Sequence, residues 1–466
     1  MDTRLSKSLA RPSEIPAIVS CDYQSAGRRE DGKYIDHTSI PHLCHLELTY
    51  ACNQFCPFCY NPVRTTLGNF KLLDRVVESI ACSQIPHVCF LGGEPSLLPV
   101  GKLNEYIDTL ADHSSVTITT NGRITLKSIS ERLAFIAVPL HGTNAQMHEF
   151  LNNTPGSFAE TIQTIRYYVN EGRVVRAVPL LNGYNYNQMY DIVKLAADLG
   201  MESVYVDRYE DGGIGAQNSI NLAYKPTREQ FAIALGQIIK ARNEITTLGG
   251  RVGFGTAVPY CLDTRLIADA ITCNCGVGRD FCAINPMGDV RMCNQSQLVF
   301  GNVLEESLED IWNKPSLDIF RDLSWVSEPC KSCQLLLDCT AGCKVDVNYS
   351  DKFCIDYAVR GRATPINPIT KMPTHPVPCD SYPEKLRIFR PSRYMKITTR
   401  YPEKLLVTRY QTAELEGIAL EMAKFILKHE TIDEQTLINR FSNKVDETET
   451  RLFVSKMLQI DAIELV

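Results

Sequence analysis

From residue 43 to residue 208, short apolar runs rich in β-formers alternate with longer segments of helical period, which leaves the chain few folds. LCHLELTY, HVCFLGG, SVTITTNG, FIAVPLHG, VVRAVPLLNG and SVYVDR read as six strands. FKLLDRVVESIACS, VGKLNEYIDTLADH, SFAETIQTIRYYVNEG and NQMYDIVKLAADLG lie between them and repeat apolar residues at three and four spacing. Strands joined by crossover helices pair in parallel with one handedness, so six units predict an α/β chain curved into a partial (β/α)6 TIM-like barrel. Ligands in such sheets sit at the C-terminal strand ends. PTREQFAIALGQIIKARNEITTLGG then reads as a long helix closing the barrel.

Beyond the barrel the periodicity fades. The expected boundaries are an N-terminal extension over 1–37, the barrel over 38–254, a cysteine-rich domain over 255–390 and a small module over 391–466. In the last of these, YMKITTRYPEKLLVTRY reads as a hairpin and TAELEGIALEMAKFILKH as an amphipathic helix. Thr431 to Glu434 reads as a capping box opening a second helix, and ETETRLFVSKMLQI as a third. Strands and helices in this order predict a winged-helix-like module.

Eighteen cysteines are bunched: five precede residue 60, two are Cys82 and Cys89, and eleven fall between Cys261 and Cys379. The N-terminus has no apolar signal core, and no run of about 18 apolar residues occurs anywhere, so a cytoplasmic protein with no membrane segment is expected. Thiols in a reducing compartment hold metal more often than they form disulfides. A formal charge of -6 lacks the basic excess of a nucleic-acid binder. A domain as poor in periodic apolar segments as 255–390 needs staples, and metal clusters supply them.

Cys52, Cys56 and Cys59 follow the first strand at spacings that let one loop direct three thiolates to three corners of a cubane. The fourth iron is left open for chemistry, as in catalytic metal sites generally. A partial zinc site is the bland alternative. The pattern, with Phe58, resembles the radical SAM superfamily. That resemblance implies a 4Fe-4S cluster whose open iron binds S-adenosylmethionine, reductive cleavage to a 5'-deoxyadenosyl radical, and an external reductant such as flavodoxin or ferredoxin. It further implies that Gly92, Gly93, Glu94 and Pro95 contact the cofactor and that Asn121 and His141 stand where substrate or cofactor is contacted, satisfaction of strand-end backbone groups being an equal reading of those two.

Cys275, Gly288 and Cys293, followed by Cys330, Cys333, Cys339 and Cys343, resemble the SPASM pattern, with a double zinc ribbon as the alternative. The resemblance implies two auxiliary clusters with interleaved ligands. Cys275, Cys293 and Cys343 serve the first, its fourth ligand being Cys261, Cys273, Cys282 or none. Cys330, Cys333 and Cys339 serve the second, completed by Cys379 in preference to Cys354. Cys21, Cys44, Cys82 and Cys89 lack metal spacing and read as ordinary thiols. Asp207 to Glu210 face the ligand-binding end but suit a solvated strand end equally, so no catalytic base is assigned.

SPASM-type radical enzymes commonly crosslink or oxidise ribosomally made peptides or proteins, and a module like 391–466 serves in some of them to bind a leader peptide as an added strand, a structural cap or a dimerisation surface being the alternative. A peptide or protein maturase is therefore the leading expectation. A radical SAM dehydrogenase of a small molecule and a non-catalytic metal-stapled binding protein are the alternatives.

Overall fold

The structure is a computed structural model that describes residues 37–345, 356 and 387–466, apart from 62, 211, 213–221, 269–270, 272–273, 324–325, 399 and 402–403. The six expected strands form: β1 (Leu43–Thr49), β2 (His87–Gly92), β3 (Ser115–Thr119), β4 (Ile136–Val138), the split pair β5 (Val175–Ala177) and β6 (Leu180–Leu181), and β7 (Ser203–Arg208). All pair in parallel, in register from Leu43 opposite His87 to Ala177 opposite Val204.

Helices α1 (Phe70–Ser83), α2 (Val100–Leu110), α3 (Ala145–Asn152), α4 (Ser157–Asn170), α5 (Met189–Asp198) and α6 (Arg228–Glu244) follow them. Helix α1 shows why the period is legible: Leu73, Val76, Val77 and Ile80 are buried along one stripe. The Asn69 side chain caps its start, and Gln84 ends it in the left-handed region at φ 52. Helix α3, only 8 residues long between its caps Asn144 and Asn153, is too short to show a period in the sequence.

Two features extend the expected barrel. A seventh parallel strand, β8 (Val252–Phe254), follows α6 and pairs with β7; three residues give no detectable alternation. From the cysteine-rich segment, β9 (Phe281–Ile284) joins the opposite edge parallel to β1, and β10 (Asp289–Arg291) and β11 (Val299–Asn302) continue antiparallel. The result is an open 11-stranded sheet with one continuous core.

Residues 387–466 have their own core around Phe389, Leu406, Met422 and Phe453. Strand β12 (Ile388–Pro391) lies between β16 (Ile432–Asp433) and β17 (Ile463–Leu465), while β13 (Lys396–Ile397), β14 (Leu405–Val407) and β15 (Thr412–Glu414) form a second sheet. Helices Gly417–Leu427, Glu434–Phe441 and Glu447–Gln459 complete it. Two local expectations are corrected. Residues Thr412–Glu414 are a strand and not the first turn of a helix, and the second helix is capped by Asp433, which accepts from the Thr436 amide at 2.8 Å, not by Thr431. Pairing of Ile432 with Phe389 pulls the preceding residues into a strand and moves the cap two positions on.

The β13–β15 side of this module closes the N-terminal end of the barrel. Thr412 bonds His87 at 3.0 Å, the Lys396 ammonium donates to the Ser114 carbonyl at 2.7 Å, and the Tyr410 hydroxyl bonds Glu202. Tyr394 and Tyr410 pack on Ala134, Phe135 and Ala137. Buried Arg176 lies against the Phe135, Tyr205 and Tyr410 rings, where cation–π attraction and the Ser203 hydroxyl offset its desolvation. No helix among the described residues is long and apolar enough to cross a membrane.

Candidate metal centres

Cys52, Cys56 and Cys59 lie on the loop after β1, all half-buried. The Gln54 and Asn61 amides each donate to a thiol sulfur, of Cys52 and Cys59 respectively, at 3.4 Å. Burial, and then the charges of Glu94 and Cys59, push Cys52 up to about 11, while burial and the charges of Cys59 and Cys52 push Cys56 well above its ordinary range. Three thiols that repel as anions are relieved by a cation between them, which fits an iron cluster. Arg64, not anticipated from sequence, donates to the Cys56 carbonyl at 2.6 Å and favours the thiolates by its charge.

The glycines of the next turn act first on this loop. A Cβ on Gly92, at φ +135, would meet the Thr49 carbonyl at 2.4 Å, and one on Gly93 would meet the Ala51 carbonyl at 2.0 Å. Strand β2 thus ends flush against the root of the cysteine loop, as only glycine permits. The Glu94 carboxylate accepts from the Ser96 amide at 2.9 Å, the Thr120 hydroxyl at 2.6 Å and the Asn121 amide at 2.7 Å, locking this turn to the next. Burial holds it above the usual carboxylate range. Pro95 is buried in the short turn that follows. Asn121 bonds the Asn53 side chain at 2.7 Å, and Arg123 donates to the Asn53 carbonyl while pairing with Glu160. Glu94 and Asn121 therefore anchor the cysteine loop, whatever further contacts they make.

Beside the loop is a cavity of about 350 Å³. Phe58, Cys59 and Tyr60 line one side; Cys275, Cys293 and Cys343 line another. His141 borders it, edge-on to Phe58 at 5.3 Å, with its Nδ1 accepting from the Leu180 amide. Burial lowers His141 to about 3, so the ring is neutral. Asp207 and Glu210 also line the cavity, each pushed up to about 7, chiefly by burial. Glu210 is buried, whereas Asp207 is half-buried. Fully buried Arg208 pairs with Asp356 at 2.7 Å and with Glu210 at 3.3 Å, and Asp356 accepts from the Cys343 amide at 3.0 Å. Glu47 of β1 pairs with Arg291 of β10, fixing the strand that leads into Cys293. The structure thus brings Cys275, Cys293 and Cys343 to one cavity wall.

Cys282 stands elsewhere, in β9, 1% exposed and hydrogen-bonded to Cys44. Cys273, Cys354 and Cys379 lie outside the described residues. A second, small cavity gathers Cys330, Cys333 and Cys339 with Cys261, from the loop after β8. Burial, and then the charges of Cys339, Cys330 and Cys333, push Cys261 up to about 12. Lys344 is buried close to Cys275, Cys343 and Cys339, a cation between the two thiol sets whose own proton affinity burial lowers. Among the described residues no three His, Cys, Asp or Glu side chains close around a single metal ion. The thiols frame cavities instead, which suits multi-iron clusters better than zinc.

Residues 46–196 match the radical SAM superfamily, and residues 273–334 match SPASM, an iron-sulfur cluster-binding domain. The chain therefore carries a radical SAM domain and a SPASM domain; the first implies a 4Fe-4S cluster with S-adenosylmethionine, the second auxiliary iron-sulfur clusters. It is 23% identical over 358 residues to a PqqA peptide cyclase of Rhodopseudomonas palustris, covering 73% of this chain and 89% of that protein. It is 24% identical over 288 residues to the antilisterial bacteriocin subtilosin biosynthesis protein AlbA of Bacillus subtilis, covering 59% of this chain and 60% of that one. The fold resembles that of Streptococcus suis SuiB bound to S-adenosylmethionine, with TM-score 0.53, 19% identity and coverage of 69% and 78%. It also resembles anSMEcpe with bound AdoMet and Cp18Cys peptide, with TM-score 0.52, 15% identity and coverage of 68% and 94%.

Proposed function

We propose that this enzyme modifies a ribosomally made peptide or protein by hydrogen abstraction, leaving a crosslink, a thioether or an oxidised side chain. One observation carries the reading: a single cavity is bordered by the radical-site loop on one side and by Cys275, Cys293 and Cys343 on another. Its volume lies within the usual range for a ligand pocket, about 300–1,000 Å³. Loaded with its cofactors, the first site supplies a 5'-deoxyadenosyl radical that removes one hydrogen atom from the substrate. The substrate radical then needs to lose one electron and one proton to become a closed-shell product. Cys275, Cys293 and Cys343 would hold the electron acceptor at the cavity wall, and the carboxylates of Asp207 and Glu210 would take the proton there. The similarity to a PqqA peptide cyclase, to a bacteriocin biosynthesis protein and to peptide-bound anSMEcpe favours a peptide over a small molecule. The setting is a reducing cytoplasm, with flavodoxin or ferredoxin as electron donor.

Residues 391–466 belong to this reading as the peptide-recognition module, with β13 and β15, the outer strands of their sheet, offering edges for an added leader strand. Because the module docks under the barrel, the leader and the modified residue sit at opposite ends of the strands. Strand β1 has 7 residues, so at about 3.3 Å per residue the substrate needs a spacer of at least about seven extended residues. The test is anaerobic reconstitution with iron and sulfide, reduction by dithionite, and assay for 5'-deoxyadenosine with a short peptide encoded beside the gene. Deoxyadenosine together with a peptide lighter by a pair of hydrogens per crosslink supports the proposal. Deoxyadenosine with the peptide unchanged, and turnover of a small alcohol instead, overturns it.

A further inference from the structure

We infer that Cys261 is the fourth thiolate of the second auxiliary cluster, closing the set Cys330, Cys333 and Cys339 from the barrel side. Expected completion came from downstream, through Cys379 or Cys354, and Cys261 was a candidate for the other cluster. The geometry assigns it differently. Cys261 lines the cavity of Cys330, Cys333 and Cys339, whereas the larger cavity of Cys275, Cys293 and Cys343 does not include it.

The loop that carries it is fixed against the same segment. The Tyr260 hydroxyl donates to the Asp338 carbonyl, immediately before Cys339, at 3.3 Å, and the Tyr260 backbone amide donates to the Cys339 thiol. Pro259 packs so tightly on Gly342 that a Cβ there would come within 2.9 Å of its ring. Tyr260 shares a small apolar cluster with Leu335, against which Cys333 and Cys339 pack. Four thiols on one small cavity match the ligand number of a 4Fe-4S cubane, each thiol losing its proton on ligation.

Two consequences follow from the position of Cys261 just after β8. The second cluster has no open iron and serves electron transfer, not substrate binding. It also ties the last barrel strand to the SPASM segment, so its loss loosens both.

The inference rests on the iron-sulfur reading of the SPASM region, and the test separates the two. In full-length protein carrying Cys52→Ala, Cys56→Ala and Cys59→Ala, the auxiliary sites alone should hold about eight irons. Adding Cys261→Ala should lower this to about four, or produce the paramagnetic signal of an oxidised three-iron cluster. Unchanged iron and spectrum with Cys261→Ala, while Cys333→Ala loses iron, overturns the assignment of Cys261 alone. No change with either variant overturns the auxiliary-cluster reading itself, and Cys261 with it. Should Cys261→Ala fail to fold, anaerobic iodoacetamide labelling of the reconstituted wild-type enzyme decides. Cys261 should resist labelling until the clusters are removed by chelation, and labelling in the loaded enzyme as fast as exposed Cys82 overturns the inference.

Discussion

The two ends of the barrel are built from the same strands and do opposite things. At the C-terminal ends, loops carry thiols, buried carboxylates and Arg208, groups whose burial is costly unless something charged shares the site. At the N-terminal ends, β13–β15 bring tyrosines against Ala134 and Phe135 and hydrogen bonds to His87, the Ser114 carbonyl and Glu202. The first end stores electrostatic stress that cofactors relieve; the second is held by aromatic packing and direct hydrogen bonds. A parallel sheet permits this division because every loop leaving a strand tip falls at one end, while the returning connections at the other end stay short.

Substitutions should separate the ends. The largest effect belongs to Cys52, Cys56 and Cys59: changing all three to Ala should lower S-adenosylmethionine cleavage at least about 1,000-fold with auxiliary iron retained. Retained cleavage would break the assignment of chemistry to that end. Arg208→Met strands Asp356 and Glu210, and should cost about 3–5 kcal/mol by denaturant unfolding of the reconstituted enzyme.

Asp207 gives a pH signature. Its carboxyl is pushed up to about 7, so between about 4 and 7 the folded chain binds a proton that the unfolded chain has released. Stability from this group is complete below that window, falls by at most about 1.4 kcal/mol per pH unit within it, and is lost above pH 7. Asp207→Asn should flatten that decline in the melting temperature, and an unchanged slope would remove Asp207 from the stressed end. The smallest effect is expected at the other end: Thr412→Val removes the bond to His87 and should cost about 1 kcal/mol, with cofactor cleavage and iron content unchanged. If it altered cleavage, the two ends would be coupled.

Much of this was legible in the chain. The stripe Leu73, Val76, Val77 and Ile80, the three-cysteine loop, and the interleaving that separates Cys343 from nearby Cys339 all followed from period, spacing and family resemblance. Arg64 was not legible, because a single arginine in a loop has no pattern; only its bonds to the Cys56 and Gln54 carbonyls disclose it. Nor was the anchoring work of Glu94, which depends on a turn from another strand.

The sequence by itself determined the βα elements and the cysteine spacings, since periodicity and motif spacing are properties of neighbouring residues. Tertiary structure alone decided that Cys261 joins Cys330, Cys333 and Cys339, that Cys282 faces Cys44 inside the sheet, and that residues 387–466 close the far end of the barrel. Each of these joins segments far apart in the chain, and the burial and packing that bring such segments together leave no local pattern to read.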